Sequence, residues 1–193
     1  MGVIEDGKGT GKKAKVNADN QLITRATAVE QRLTSAVDGN YYEVTTGLIT
    51  ITTATEQGML YLKNTADLGI VIDRVFFDFW TSTGGTDQDI TIEYYRNPTI
   101  TGGTDITPVN TNFSSGTASS AIGEFKRNTT TMTGDHWWYM YASDKTSIAI
   151  DEGRIYIPSG YSFGIAMEPP TGNTSMKINI NIAFYYFDEA LIQ

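Results

Sequence analysis

Several groups of residues have the types that chemistry requires, and each falls short of a working set. Gly7-Lys8-Gly9-Thr10-Gly11-Lys12-Lys13 carries the glycines and lysines of a phosphate-cradling loop. Such a loop places a glycine five positions before the glycine of its Gly-Lys pair, and a Ser or Thr hydroxyl after the lysine for the metal. Here Asp6 holds the first of those positions and Lys13 the second, and no strand precedes the segment to form its base. A flexible basic segment accounts for the same residues. His136 stands between Asp135 and Trp137, but a catalytic or ligating histidine needs a partner set, and the neighbouring sequence supplies none. It reads as a loop histidine at the start of a strand. Asp87 with Asp89, and Asp151 with Glu152, lack the ligand density of a calcium loop and read as solvated turn residues. A glycosidase requires two carboxylates at a fixed separation, and an acidic chain offers such pairs by chance. Asn112, Asn128 and Asn173 begin N-x-[ST] sequons, which have meaning only in a secreted protein.

The composition closes further routes. There is no cysteine, so disulfides, thiolate catalysis and cysteine-based zinc sites are excluded, and a single histidine leaves little for imidazole chemistry. No cofactor and no catalytic activity are expected. Net charge is -8, which argues against nucleic acid as a partner of the whole surface, although a basic patch lies near the N-terminus. No apolar run has the length of a membrane span, and Met1–Asp6 lacks a leader's basic and apolar regions. The expectation is a chain made in a reducing compartment, with no membrane partner.

The elements that would position any site are strands. Charged residues are only 19% of 193, and there are 19 glycines and many threonines and asparagines, a composition suited to short strands and polar turns. The clearest pattern is Met176 to Phe187. Met176, Ile178, Ile180, Ile182, Phe184 and Tyr186 share one parity, and Lys177, Asn179, Asn181, Ala183 and Tyr185 share the other. A period of two predicts a strand with one dry face. Further strands are predicted at 48–53, 58–63, 69–80, 90–94 (stopped by Asn97-Pro98), 137–141, 147–150, 154–157 and 161–167, with weak candidates at 124–127 and 131–133. The polar stretch 97–123 reads as a long loop anchored by Ile106, Val109 and Phe113. The sum is an all-β domain over 41–193, an antiparallel β-sandwich or jelly roll.

Residues 1–40 differ. Up to Asn20 there is no aromatic residue and almost no apolar period, so the segment reads as an extended N-terminal arm, ordered against a partner. A short helix is predicted after it. Thr27 and Glu30 have capping-box spacing, Val29, Leu33, Ala36 and Val37 make a stripe, and Gly39 ends it.

The run 69–80 is apolar on both parities, which suggests cover on both faces: the opposing sheet on one side and a second subunit on the other. Phe76, Trp80, Trp138 and Tyr185 are the candidates for such an interface, since interfaces bury aromatic residues. Exposed aromatics serving as sugar platforms are the competing use.

The segment Val3-Ile-Glu-Asp-Gly-Lys-Gly-Thr-Gly-Lys-Lys-Ala-Lys-Val-Asn-Ala-Asp-Asn-Gln-Leu22 resembles the N-terminus of small structural proteins of tailed bacteriophages, in which an "EDGxGxGxxAKV(N/D)xxNxL" segment precedes an all-β domain. Ile155-Tyr-Ile-Pro-Ser-Gly-Tyr-Ser-Phe-Gly-Ile165, followed by Pro169-Pro170-Thr-Gly-Asn-Thr-Ser-Met176, is similar to the same group, whereas Thr81 to Thr133 has no match. The resemblance implies an auxiliary capsid protein, a decoration (cement) protein or head-fibre base with a jelly-roll body. It implies a homo-oligomer, with a trimer favoured, bound to the major capsid protein on the virion surface. The arm residues expected to make that contact are Lys8, Lys12, Lys13, Lys15, Val16, Leu22 and Arg25. The alternative is a carbohydrate- or receptor-binding module of a head fibre or host-attachment protein. A hydrolase on a sandwich scaffold has only scattered carboxylates in its favour.

Overall fold

The structure is a computed structural model that describes residues 3–5, 13–16, 22–23, 31–52, 55–81, 89–113, 121, 123–143, 147–169 and 175–187. Two compact units divide at Gln31.

In the first unit, β1 (Val3–Glu5), β2 (Lys13–Val16) and β3 (Leu22–Ile23) form an antiparallel sheet in the order β1-β2-β3. Val3 lies opposite Lys15, and Val16 opposite Leu22. The described residues of this unit are thus paired with one another through their main chains.

The second unit opens with α1 (Gln31–Val37) and continues through β4 (Tyr41–Thr45), β5 (Ile49–Ile51), β6 (Gln57–Asn64), β7 (Gly69–Thr81) and β8 (Asp89–Thr101). Next come β9 (Thr104–Asp105), β10 (Val109–Asn110), β11 (Gly123–Thr129), β12 (Thr131–Ser143), β13 (Ser147–Ile157), β14 (Ser162–Glu168) and β15 (Met176–Phe187). One sheet runs β10-β4-β15-β7-β13, with β5 also on β15, and the other runs β12-β8-β14-β6-β11-β9. Every pairing is antiparallel. Setting aside β5, β9 and β10 and the strand β11 that extends one sheet, eight strands remain: β4 pairs with β15, β6 with β14, β7 with β13 and β8 with β12, so first meets last, second meets seventh, and so inward. That is the strand order of a jelly roll, folded from a sequence of short amphipathic runs.

The core lies between the sheets. All six alternating residues of β15 named above are buried, against Ile70, Ile72, Val75, Phe77 and Phe79 of β7 and Leu60, Leu62, Ile92, Tyr94 and Ile165 of the facing sheet. Full burial of one such side chain is worth about 1.5–3 kcal/mol as an upper bound. A second, smaller cluster, Tyr61, Tyr95, Met132 and Ala166 with Ile100 against it, is buried on the sheet of β6, β8, β12 and β14.

Three local expectations are corrected. Asn97-Pro98 does not stop β8, which continues to Thr101. The two residues sit in a bulge opposite Gly134, between the Arg96–Asp135 and Thr99–Thr133 pairs, and Asn97 takes a left-handed φ of 48°. A bulge leaves its extra residue outside the ladder, so proline's missing N–H breaks nothing. The helix stripe does not point inward as expected: Leu33 and Val37 are exposed and Ser35 is buried. The helix is only seven residues long and is held at its end instead, by Asn40 N–H on Ser35 O (2.7 Å), Asn110 Nδ2 on Gly39 O (2.6 Å) and Asn112 Nδ2 on Val37 O (2.7 Å). Thr27, Val29 and Glu30 lie outside the described residues. Phe113 anchors nothing and is fully exposed, and Val109 is exposed too, while Ile106 packs on the core. The "loop" 97–123 holds β9, β10 and the end of β8, which tie it to β11, β4 and β12 through main-chain pairing.

Candidate functional site

The site is built at the sheet edge by a second irregularity of β12. His136 pairs with Tyr95 and Trp138 with Tyr94, so Trp137 is the extra residue of a bulge. Trp138 turns inward and meets Tyr94 edge-on at 4.8 Å between ring centroids. Trp137, turned out of the ladder, keeps a 5.8 Å contact with Tyr94 while 48% of its surface stays exposed. The aromatic run, which carries rings on both parities, thus serves two purposes: Trp138 packs against the core and Trp137 lines a cleft.

That cleft, of about 560 Å³, lies where the bulged middles of β8 and β12 approach β13, the β13–β14 turn and the start of β14. Buried Ile155, Ile157 and Phe163 form its apolar lining, with Trp137 and the exposed Tyr161 beside them. Tyr161 is presented by the turn Pro158-Ser159-Gly160, in which Gly160 has φ 83° and Tyr161 N–H donates to Pro158 O at 3.2 Å. The polar lining includes Arg96, Asn97 and Ser162, and Asn97 Oδ1 accepts from Ser162 N–H at 3.0 Å. A concave, largely apolar space with a few convergent polar groups is the ordinary form of a ligand site.

Tyr95 links the cleft to a polar cluster that sequence reading does not find. His136 lies within β12 rather than in a loop, and its Nδ1 is 2.8 Å from Glu93 Oε2. Tyr95 Oη donates to Glu56 Oε1 (2.5 Å) and lies 3.1 Å from Glu93 Oε2. The His136 ring stacks on Tyr139 at 5.3 Å and lies 4.1 Å from that of Tyr95. Glu93 is buried. Burial raises its carboxyl above the ordinary carboxylate range and the charge of Glu56 adds to this, while the Tyr95 hydrogen bond and His136 pull the other way. Burial, then the Glu56 hydrogen bond, pushes the Tyr95 phenol well above its usual value. Among the described residues, no group of three or more His, Cys, Asp or Glu is placed to hold a metal. Because Glu93 and His136 are far apart in the chain, only the β8–β12 register brings them together.

None of the four interface candidates lines the cleft. Phe76 is half-buried and Trp80 is 46% exposed, both on β7. Tyr185 stacks on Tyr41 at 6.3 Å, and Tyr41 Oη donates to Asp73 Oδ2 at 2.7 Å. Trp138 packs against the core. Of the arm residues, Lys13, Lys15 and Val16 are on β2 and Leu22 is on β3, while Lys8, Lys12 and Arg25 lie outside the described residues, as do Asp87 and Asn173. The side chains of Asp89, Asp151 and Glu152 are likewise outside them. Asn128 has φ 53° and accepts a hydrogen bond from Gln57 Nε2. Arg96, Tyr161 and Glu93 were missed in the sequence; the one signal pointing their way was the Pro-Ser-Gly turn ahead of Tyr161.

No protein-family model matches the chain, and no curated protein matches its sequence. Among solved structures, the chain is weakly similar to that of infectious bursal virus derived T=1 particles, at 13% identity and a TM-score of 0.18, over 79% of this chain and 41% of that one. Similarity to the VP2 subviral particle of infectious bursal disease virus is of the same order, with 13% identity and a TM-score of 0.15, over 79% and 43%. The chain thus spans less than half the length of these viral chains. Likenesses at these scores carry no argument, and the fold stands on its own strand order: an all-β jelly-roll sandwich.

Proposed function

We propose that the protein is a virion structural protein that decorates and stabilises a bacteriophage capsid, binding the major capsid protein through its N-terminal arm and sitting as a homo-oligomer, with a trimer favoured, on the outer shell. The observation that carries this reading is the division of the chain at Gln31 together with its charge. Residues 1–30 hold five Lys or Arg against four Asp or Glu, whereas residues 31–193 hold nine against eighteen. A small, strand-forming unit of nearly balanced charge, on a chain that is otherwise acidic, suits a tether, because short strands add to exposed sheet edges through main-chain bonds. Many weak copies on one shell then bind firmly through multivalency. The resemblance of the same segment to phage structural proteins points the same way. On this reading the protein is made in the host cytoplasm, works on the virion, and has no catalytic role. The test is co-sedimentation with capsids of the full chain and of a chain lacking residues 1–25. Loss of binding on deletion is expected, and undiminished binding would remove the arm from the mechanism.

A second reading, a carbohydrate- or receptor-binding module, is favoured by one observation: the cleft beside Trp137 and Tyr161. Exposed rings bordering a concave space are the platforms that sugars stack on.

A further inference from the structure

We propose that the cleft takes an acidic sugar, a pyranose ring bearing one carboxylate, an inference that rests on the glycan-binding reading just given. Trp137 and Tyr161 are each 48% exposed, and the adjoining lining of Ile155, Ile157 and Phe163 is apolar. Such walls receive the C–H face of a pyranose, and about 560 Å³ holds one or two rings.

The charge preference comes from Arg96. It is the only cationic residue lining the cleft, it is exposed, and among the described residues it makes no ion pair. Asp135 stands opposite it in the strand register without pairing to it. Asn97 Oδ1 is already engaged by Ser162 N–H, which leaves the guanidinium as the uncommitted charged group. A guanidinium presents a planar fork that matches a carboxylate through two parallel hydrogen bonds. A phosphorylated ligand or nucleotide would bring up to two negative charges to that one cation on a chain of net charge -8. A singly charged carboxylate on an apolar ring matches both the walls and the charge.

The test titrates the full chain with methyl glucuronide and with methyl glucoside, read by saturation-transfer NMR and by tryptophan fluorescence. Saturable binding is expected for the glucuronide, about tenfold or more tighter than for the glucoside. Arg96→Gln is expected to bring that ratio close to one, and Trp137→Ala to abolish saturable binding of both sugars. Thermal unfolding of each variant checks that it folds, and Trp137→Phe, which keeps a ring, is expected to retain part of the binding. Equal affinity for the two sugars, or a ratio unmoved by Arg96→Gln, overturns the acidic-sugar inference and leaves the glycan-binding reading standing. Saturable binding of neither sugar overturns both.

Discussion

His136 Nδ1 sits 2.8 Å from the Oε2 of buried Glu93, joined across the pairing of β8 and β12. The contact sets an imidazole against a carboxylate that burial and the nearby Glu56 both disfavour as an anion.

That position makes stability depend on pH in a definite direction. The folded state holds the Glu93 proton to higher pH than the unfolded chain, where the carboxyl has its ordinary value of 4.5. The stabilising contribution is full below that value and is lost as pH rises through the raised folded one. Glu93→Gln keeps the neutral form at every pH. Thermal unfolding midpoints of the natural chain are therefore expected to fall relative to the variant from about pH 4 towards pH 7. A difference that stays constant over that range would show that Glu93 titrates alike in both states.

Gly58 faces Thr129 across the β6–β11 pair at a distance no side chain allows. A Cβ built there meets Thr129 Oγ1 at 1.9 Å, and Met132 Cε at 3.1 Å. Thr129 is β-branched and fully buried, so it has little freedom to turn away. Gly58→Ala is expected to cost about 1–3 kcal/mol in chemical denaturation, with partial recovery in Gly58→Ala/Thr129→Ala. A cost below about 0.5 kcal/mol would mean that the strand pair yields easily.

Trp80 tests the subunit interface. It is 46% exposed on β7, opposite Lys177 of β15. If it lies between protomers, Trp80→Glu is expected to shift sedimentation towards the monomer while monomer stability changes by no more than about 0.5 kcal/mol. An unchanged sedimentation profile would take Trp80 out of the interface.

The fold was legible wherever the period of two was long. The β15 residues Met176 to Tyr186 advertise their inner face, and the structure buries that face. Reading failed where register mattered more than pattern. Asn97-Pro98 looks like a terminator and is a bulge, because its partner Gly134 leaves room: a Cβ on Gly134 would meet Pro98 Cα at 3.0 Å. Trp137 and Trp138 would point to opposite faces of a regular strand, and the one-residue shift between them leaves both rings against Tyr94. The partners of His136, and the meeting of Arg96 with Tyr161 at one cleft, are products of pairing between distant segments and leave no local mark. The helix stripe misled because a two-turn helix can be held by its end carbonyls alone.

The inward nesting of strand pairs also sets an order of events. During synthesis β4 and β7 emerge early, yet in the finished sheet they are separated by β15, the last strand to appear. Neither can complete its ladder until nearly the whole body has left the ribosome, so their apolar faces must wait unpaired. Folding dominated by such distant pairings is slow and leaves strand edges open to neighbouring chains in the meantime. A protein made in many copies at once would feel that interval most, and its yield of folded chains would then be set by crowding among nascent bodies as much as by the stability of the finished one.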